Sequence, residues 1–232
     1  MQNTNSIVET VFDIFFETNS ITESFLGDIA QINNFEKITK LPIFQIPEAI
    51  RRNDPNLKFH PLYEIRSETN QNYKIMLGDG MLGIAIIGEY KGWNDSFFPQ
   101  VKQLFDNFLK SEKITSIQRI GLRYVNFLEN ENIFETGKIS VNLDKTCKKK
   151  MFLRIEDCVE DICYSKTITN EAQYINGSTL VGSIIDIVTF IEQDKKELEK
   201  ETIFDNINRL HDISKNKFKE VISNEYIQQH KL

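Results

Sequence analysis

Arginine, tyrosine and asparagine side chains alternate along one short stretch, Arg119-Ile120-Gly121-Leu122-Arg123-Tyr124-Val125-Asn126. Alternate side chains of a β-strand share a face, so Arg119 and Arg123 lie on one face, and Tyr124 and Asn126 on the other. At ~3.3 Å per residue the arginines stand roughly 13 Å apart, too far to hold one carboxylate together. Either each arginine pairs with a carboxylate on a neighbouring element, or the two form an anion-recognition face. Gly121 between them permits close backbone approach or a bulge.

His211 is the second candidate for chemistry. It falls within an apolar stripe of helical spacing, whose other members are Phe204, Ile207, Ser214, Phe218 and Val221. A general base needs a nucleophile or carboxylate within hydrogen-bond reach, and the adjacent Asp212 points elsewhere. We therefore expect a buried histidine satisfied by a carbonyl or a carboxylate, with a catalytic histidine as the alternative.

Other reactive groups give no recognisable constellation. The chain contains no GxSxG, HExxH, P-loop or GxGxxG motif, and no pair of carboxylates is placed by spacing for acid–base work. Its three cysteines (Cys147, Cys158 and Cys163) form no CxxC pair and, with only three histidines, do not indicate a zinc site. We expect reduced thiols, no metal, no cofactor and no catalytic residue.

Three groups of residues resemble a sporadically distributed prokaryotic family of uncharacterised proteins of similar length. They are the aromatic entry to a helix (Trp93, Phe97, Phe98), the strand Gly121-Leu122-Arg123-Tyr124-Val125-Asn126, and the C-terminal Leu210-His211 with Phe218 and Ile222-Ser223. The resemblance spans nearly the whole chain. The family has no established activity, so it implies no catalytic residues. Its patchy distribution implies a mobile locus of the antiviral defence or toxin–antitoxin type.

Composition limits the partners and the compartment. The 232 residues carry a net charge of −6, which disfavours nucleic-acid binding driven by phosphate neutralisation. The one dense basic cluster (Lys145, Lys148, Lys149, Lys150) is expected to be a solvated loop, and a nucleic-acid role requires it to join Arg51-Arg52. The N-terminus lacks signal-peptide features, and the longest apolar runs are far shorter than the ~20 residues of a membrane helix. We predict a cytoplasmic protein.

Hydrophobic periodicity predicts a single α+β domain, residues 1–232. Strands are predicted at residues 7–16, 62–67, 73–77, 82–90, 114–127, 139–143, 151–155, 162–168 and 180–191, and helices at 22–32, 96–110 and 202–226. Four prolines make residues 41–61 an irregular loop, and Gly78-Asp79-Gly80 supplies a hairpin whose glycines tolerate positive φ.

This order predicts a largely antiparallel curved sheet with long helices packed on one face. A block of three strands and a helix occurs at 62–109 and again at 151–222. An internal duplication, with halves 1–128 and 129–232, is therefore a hypothesis.

The sequence favours a non-enzymatic protein-interaction module, because the surface is acidic and the loop 41–61 is long. Its protein partner is unidentified, and homo-oligomerisation is compatible with this hypothesis. The alternative is a small-ligand-binding domain or enzyme with a pocket between the sheet and the C-terminal helix. Its lining is predicted to be Tyr63, Arg66, Arg123, Tyr124, Asn126, Arg154 and His211.

Overall fold

The computed structural model describes residues 6–33, 37–67, 72–139, 141, 150–192 and 199–230. Its strands are β1 (Ile7–Thr18), β2 (Lys37–Lys40), β3 (Pro61–Arg66), β4 (Tyr73–Gly78), β5 (Met81–Ile87), β6 (Ile114–Glu129), β7 (Phe152–Val159), β8 (Ile162–Asn176) and β9 (Ser178–Glu192). Its α-helices are α1 (Glu23–Asn33), α2 (Glu48–Asn53), α3 (Phe98–Phe108), α4 (Ile133–Thr136), α5 (Ile203–Lys219) and α6 (Asn224–His230). Among these described helices, none has the length and apolar character to span a membrane.

All nine strands form one antiparallel sheet in the order β2-β3-β4-β5-β1-β6-β9-β8-β7. The predicted α+β class with a curved antiparallel sheet is confirmed. Of the strand predicted at 139–143, the structure describes Ile139 and Val141, and both lie outside the strands, so the prediction is wrong for these two residues. The single C-terminal helix predicted at 202–226 is two helices, since α5 ends at Lys219 and α6 begins at Asn224.

The two halves of the sheet repeat one arrangement. Strand β1 is followed by α1 and by the meander β3-β4-β5, whose last strand pairs with β1, and then by α3. Strand β6 is followed by α4 and by the meander β7-β8-β9, whose last strand pairs with β6, and then by α5. In this topology β6 opens the second unit, and the first unit also contains β2, which pairs with β3, and α2. The division into halves 1–128 and 129–232 stays a prediction. A common origin of the halves stays a prediction.

One face of the sheet carries the helices and the main core. Phe12 and Phe16 of β1 meet Phe105 and Phe108 of α3 edge to face, with ring centroids 4.9 and 5.3 Å apart. Leu122 of β6 is the register partner of Phe12, so β6 turns the Leu122 side to the same layer. Helix α5 covers that side of β6 and β9.

The opposite face, which we call the open face, carries a ladder of ion pairs over its central strands. Arg119 bonds Asp13 at 2.9 Å, and Arg123 bonds Asp186 at 2.7 Å with Glu9 at 3.9 Å. The Arg119 guanidinium also lies between two phenylalanine rings of this face. Arg119 and Arg123 thus each pair with a carboxylate on a neighbouring strand, the first of the two interpretations given for their spacing.

The proline-bearing segment 41–61 is not irregular throughout, as predicted, because it contains a 3₁₀ turn and the helix α2. Pro42 lies in the first turn of the 3₁₀ segment and Pro47 precedes α2, positions where the missing N–H costs no helical bond.

Arg51 of α2 fixes this segment to the sheet. It is buried, and its Nε donates to the Asp79 carboxylate at 2.8 Å, while the Thr22 hydroxyl donates to the other Asp79 oxygen at 2.6 Å. Arg51 is therefore committed to the interior and cannot join Arg52 in a basic patch. Lys145, Lys148 and Lys149 lie outside the described residues.

Two local predictions need correction. Cys158 and Cys163 face each other in the β7–β8 register and form a disulfide, so these thiols are not reduced as expected. Hairpin register created this pair, which linear spacing did not indicate; Cys147 lies outside the described residues. The hairpin at Asp79-Gly80 is confirmed, but positive φ occurs at other glycines. A Cβ on Gly80 would lie 2.8 Å from the Phe16 carbonyl oxygen, so close backbone approach explains that glycine.

We predict that Gly121→Ala destabilises the fold. A methyl group there would lie 2.8 Å from Asp13 Oδ1 and 3.0 Å from both terminal nitrogens of Arg119, so the ion pair must shift. Overpacking costs about 1–3 kcal/mol in the free energy of unfolding, and we expect the lower end of that range here, because the atoms that must move end two side chains. Urea denaturation measures the change. Gly27→Ala is the control, because nothing lies within 4 Å of that Cβ and alanine in a helix gains roughly 0.5–1 kcal/mol. Equal stability of wild type and Gly121→Ala would contradict this role for Gly121.

Candidate functional site

An open cleft of about 510 Å³ lies between β6 and α5, on the helix-covered face of the sheet. We call it the α5 cleft. Strand β6 contributes Tyr124 and Asn126, because period-two alternation sends them away from the open face. Helix α5 contributes residues spaced by three or four, which are His211, Ser214, Lys215, Phe218 and Lys219.

The third wall comes from the segment between β5 and α3. Gly92, at φ 113°, turns the chain into a π-helical turn, Trp93–Phe97, that leads directly into α3. Tyr90, Trp93 and Asp95 of this segment line the cleft. Turns of this rare type are frequent at functional sites.

Tyr90, Tyr124 and His211 form one chain of contacts at the cleft, the Tyr90–Tyr124–His211 chain. The Tyr124 hydroxyl lies 2.9 Å from His211 Nδ1, and the ring of Tyr90 meets that of Tyr124 edge to face, with ring centroids 6.1 Å apart. The partner of His211 is therefore a phenol, where we expected a carbonyl or a carboxylate. Within the described residues, Nδ1 is the one ring nitrogen of His211 that has a hydrogen-bond partner.

An aromatic stack holds the imidazole in place. His211 lies parallel to Trp93, with ring centroids 4.3 Å apart and an interplanar angle of 2°. The other partner of the indole is Phe98, at 5.3 Å and 22°. The Trp93 Nε1 donates to Asn208 Oδ1 at 3.1 Å, so α5 fixes the plane of the indole as well. The imidazole is thus fixed both by its ring face and by Nδ1.

Every member of the Tyr90–Tyr124–His211 chain is neutral near pH 7. Burial lowers the pKa of His211 to about 4; Asp212 opposes this effect and Lys215 adds to it. Burial likewise raises the pKa of Tyr90 to about 12 and that of Tyr124 well above its ordinary value. The neutral imidazole leaves Nε2 as a donor when Nδ1 accepts from Tyr124, and as an acceptor when Nδ1 donates. The chain can therefore serve a partner of either kind.

Further polar groups lie beside this chain. Asn126 is buried and accepts from the Ser6 hydroxyl at 3.0 Å. Ser214 is buried against Thr189, their hydroxyl oxygens 2.9 Å apart. Lys215 and Lys219 are exposed at the rim on α5, and Asp95 is exposed on the facing wall. The cleft thus combines an aromatic wall, neutral hydrogen-bonding groups and a charged rim.

The two halves of the molecule differ at this position. Under α3, Phe12 of β1 meets Phe105, and both are fully buried. Under α5, the corresponding strand β6 presents Tyr124 to His211. Leu122, Ile207 and Leu210 are fully buried in the same core as Phe12 and Phe105, and the pair of Tyr124 and His211 adds hydrogen-bonding groups on the α5 side.

The residues predicted for a site divide between three places. Tyr124, Asn126 and His211 meet in the α5 cleft, whereas Arg119 and Arg123 lie on the open face. The other three predicted lining residues lie elsewhere with local partners: Tyr63 with Glu23, Arg66 with Glu64 and Arg154 with Glu156.

Sequence reasoning missed Tyr90, Trp93, Asp95, Lys215 and Lys219. Only one signal pointed to part of this set, the four-residue spacing of His211, Lys215 and Lys219 on a helix. Among the described residues, no group of three or more histidine, cysteine, aspartate or glutamate side chains could hold a metal ion.

The pH dependence of stability tests the His211 environment. Its pKa of about 4 in the folded protein lies below the unfolded value of 6.5, so the unfolded chain binds more protons between these values. We therefore expect His211 to contribute stability above pH 6.5 that is lost as the pH falls towards 4. Urea midpoints over this range should fall more steeply for wild type than for His211→Gln, in which carboxylate effects persist. If the urea midpoints of the two proteins change in parallel with pH, or if the His211 imidazole titrates near pH 6.5 by NMR, this description of the His211 environment is wrong.

No protein-family model, curated protein or solved structure matches this chain.

Proposed function

We propose that the protein binds a small organic molecule in the α5 cleft. The observation that carries this proposal is the Tyr90–Tyr124–His211 chain, which ends at a rigidly held imidazole in the wall of a cleft of about 510 Å³. Small-molecule sites occupy ~300–1,000 Å³ and combine apolar walls with a few fixed polar groups.

The rigidity of the site supports binding. His211 is held through its ring face by Trp93 and through Nδ1 by Tyr124, so little side-chain entropy remains to be lost when a ligand bonds Nε2. The hydrogen bond and the ring stack thus hold the imidazole in one orientation at the cleft before a ligand arrives.

From the sequence we favoured a protein-interaction module and kept a small-ligand-binding domain as the alternative. The proposal adopts that alternative. Tyr124 of β6 and His211 of α5 both line the open cleft and bond each other, and this arrangement supports the proposal. The interaction module, the defence-type locus and the cytoplasmic location stay predictions. Catalysis is not part of the proposal, since binding needs no turnover.

Titration with flat ring compounds tests the proposal. Trp93 is the single tryptophan of the chain and lines the cleft, so its indole N–H signal in a ¹⁵N NMR spectrum reports on occupancy. We expect 1-naphthamide, 1-naphthoate or indole to shift that signal saturably. His211→Ala should weaken binding on the order of tenfold, because the fixed imidazole and its hydrogen bond are lost.

Val125→Ala is the matched control, because Val125 follows Tyr124 on β6 and points to the open face. It should leave binding unchanged. If none of the compounds shifts the indole signal at millimolar concentration, or if both variants lose binding equally, the α5 cleft is not the site.

A further inference from the structure

The α5 cleft has an asymmetric charge distribution at its rim. His211, Lys215 and Lys219 follow one another at four-residue intervals, so they form one row along α5. Both lysines are exposed and line the cleft. The charged group on the facing wall is Asp95. Two cations therefore face one carboxylate across the opening.

These two lysines differ from their neighbour on the same helix. Lys217 bonds Glu220 at 2.8 Å and lies 4.6 Å from the ring of Tyr164. Within the described part of the chain, no carboxylate lies within ion-pair distance of Lys215 or Lys219, although the whole chain carries a net charge of −6. Asp212 lies beside His211 on the same helix but not in the lining, so the charged residues of the lining are two lysines and Asp95. A lining with a net positive charge attracts anions.

Helix stability explains only part of this row. A cation in the last turn interacts favourably with the helix dipole, and Lys219 ends α5. Lys215 lies one turn earlier, where this effect has largely decayed. Lys215 is nevertheless exposed at the cleft, one helical turn from His211, where its charge can meet a bound anion.

We propose that the ligand of the α5 cleft is a small organic anion, whose charged group lies against Lys215 and Lys219 while its body lies on the aromatic wall. This inference rests on the proposed function. The lysines select the charge, and the Tyr90–Tyr124–His211 chain bonds a neutral polar atom of the same molecule. Asp95 opposes the anion and sets a limit to the charge that the cleft accepts.

Two probes of the same shape separate this inference from the proposed function. 1-Naphthoate carries a carboxylate where 1-naphthamide carries a neutral amide, and both are followed by the Trp93 indole N–H signal. We expect wild type to bind the naphthoate more tightly. Lys215→Gln and Lys219→Gln should each lower the preference for naphthoate over naphthamide about threefold to fivefold, the scale of an exposed ion pair. Asp95→Asn should strengthen naphthoate binding.

Lys217→Gln is the control for net charge, because it makes the same change on the same helix away from the cleft. If both probes bind wild type equally, and neither lysine substitution changes their affinities, the inference that the ligand is an anion is wrong. The proposal that the cleft binds a small molecule would still stand. If Lys217→Gln lowers naphthoate affinity by the same factor, the effect comes from the overall charge of the protein, and the inference is again wrong. If neither probe binds, the proposed function fails first. Added salt should weaken naphthoate binding and spare naphthamide.

Discussion

The pairing of β1 with β6 is the constraint on which the rest of the molecule depends. It joins the two halves into one sheet, and its register places Asp13 opposite Gly121 and Phe12 opposite Leu122. Side chains alternate along a strand, so a slip of one residue would turn every side chain of β6 to the other face. The ion pair of Asp13 with Arg119 lies over Gly121 and fixes this register.

The same register gives β6 two separate roles. Arg119 and Arg123 neutralise carboxylates of β1 and β9 on the open face. Tyr124 and Asn126, one residue out of phase with them, stand under α5, where their polar atoms need partners because they are buried. The strand that holds the halves together therefore also builds the floor of the cleft, which explains why arginines and hydrogen-bonding residues alternate within one short string.

What could be predicted from the sequence was whatever depends on local periodicity. Alternation separated Arg119 from Tyr124 correctly, and helical spacing put His211 on the inner side of α5. Contacts that depend on how distant segments pair could not be predicted from the sequence. Trp93 meets His211 across more than a hundred residues, and the Cys158–Cys163 bond follows from how β7 pairs with β8. The burial of Arg51 was not predicted for the same reason, because its partner Asp79 lies in a hairpin distant in the sequence.

The contrast between the halves gives the cleft its significance. Burial of an aromatic ring stabilises a core, and Phe12 with Phe105 shows that this architecture accommodates such a pair. The second half instead keeps Tyr124 and His211, whose burial opposes ionisation and requires matched hydrogen bonds. It buries Ile207 and Leu210 of α5 in the common core and places Tyr124 and His211 beside them, at a cleft whose charged lining residues are Lys215, Lys219 and Asp95. The cost of burying these polar groups is offset by their mutual hydrogen bond and by the stack of the imidazole on Trp93, and these same contacts fix the wall of the α5 cleft.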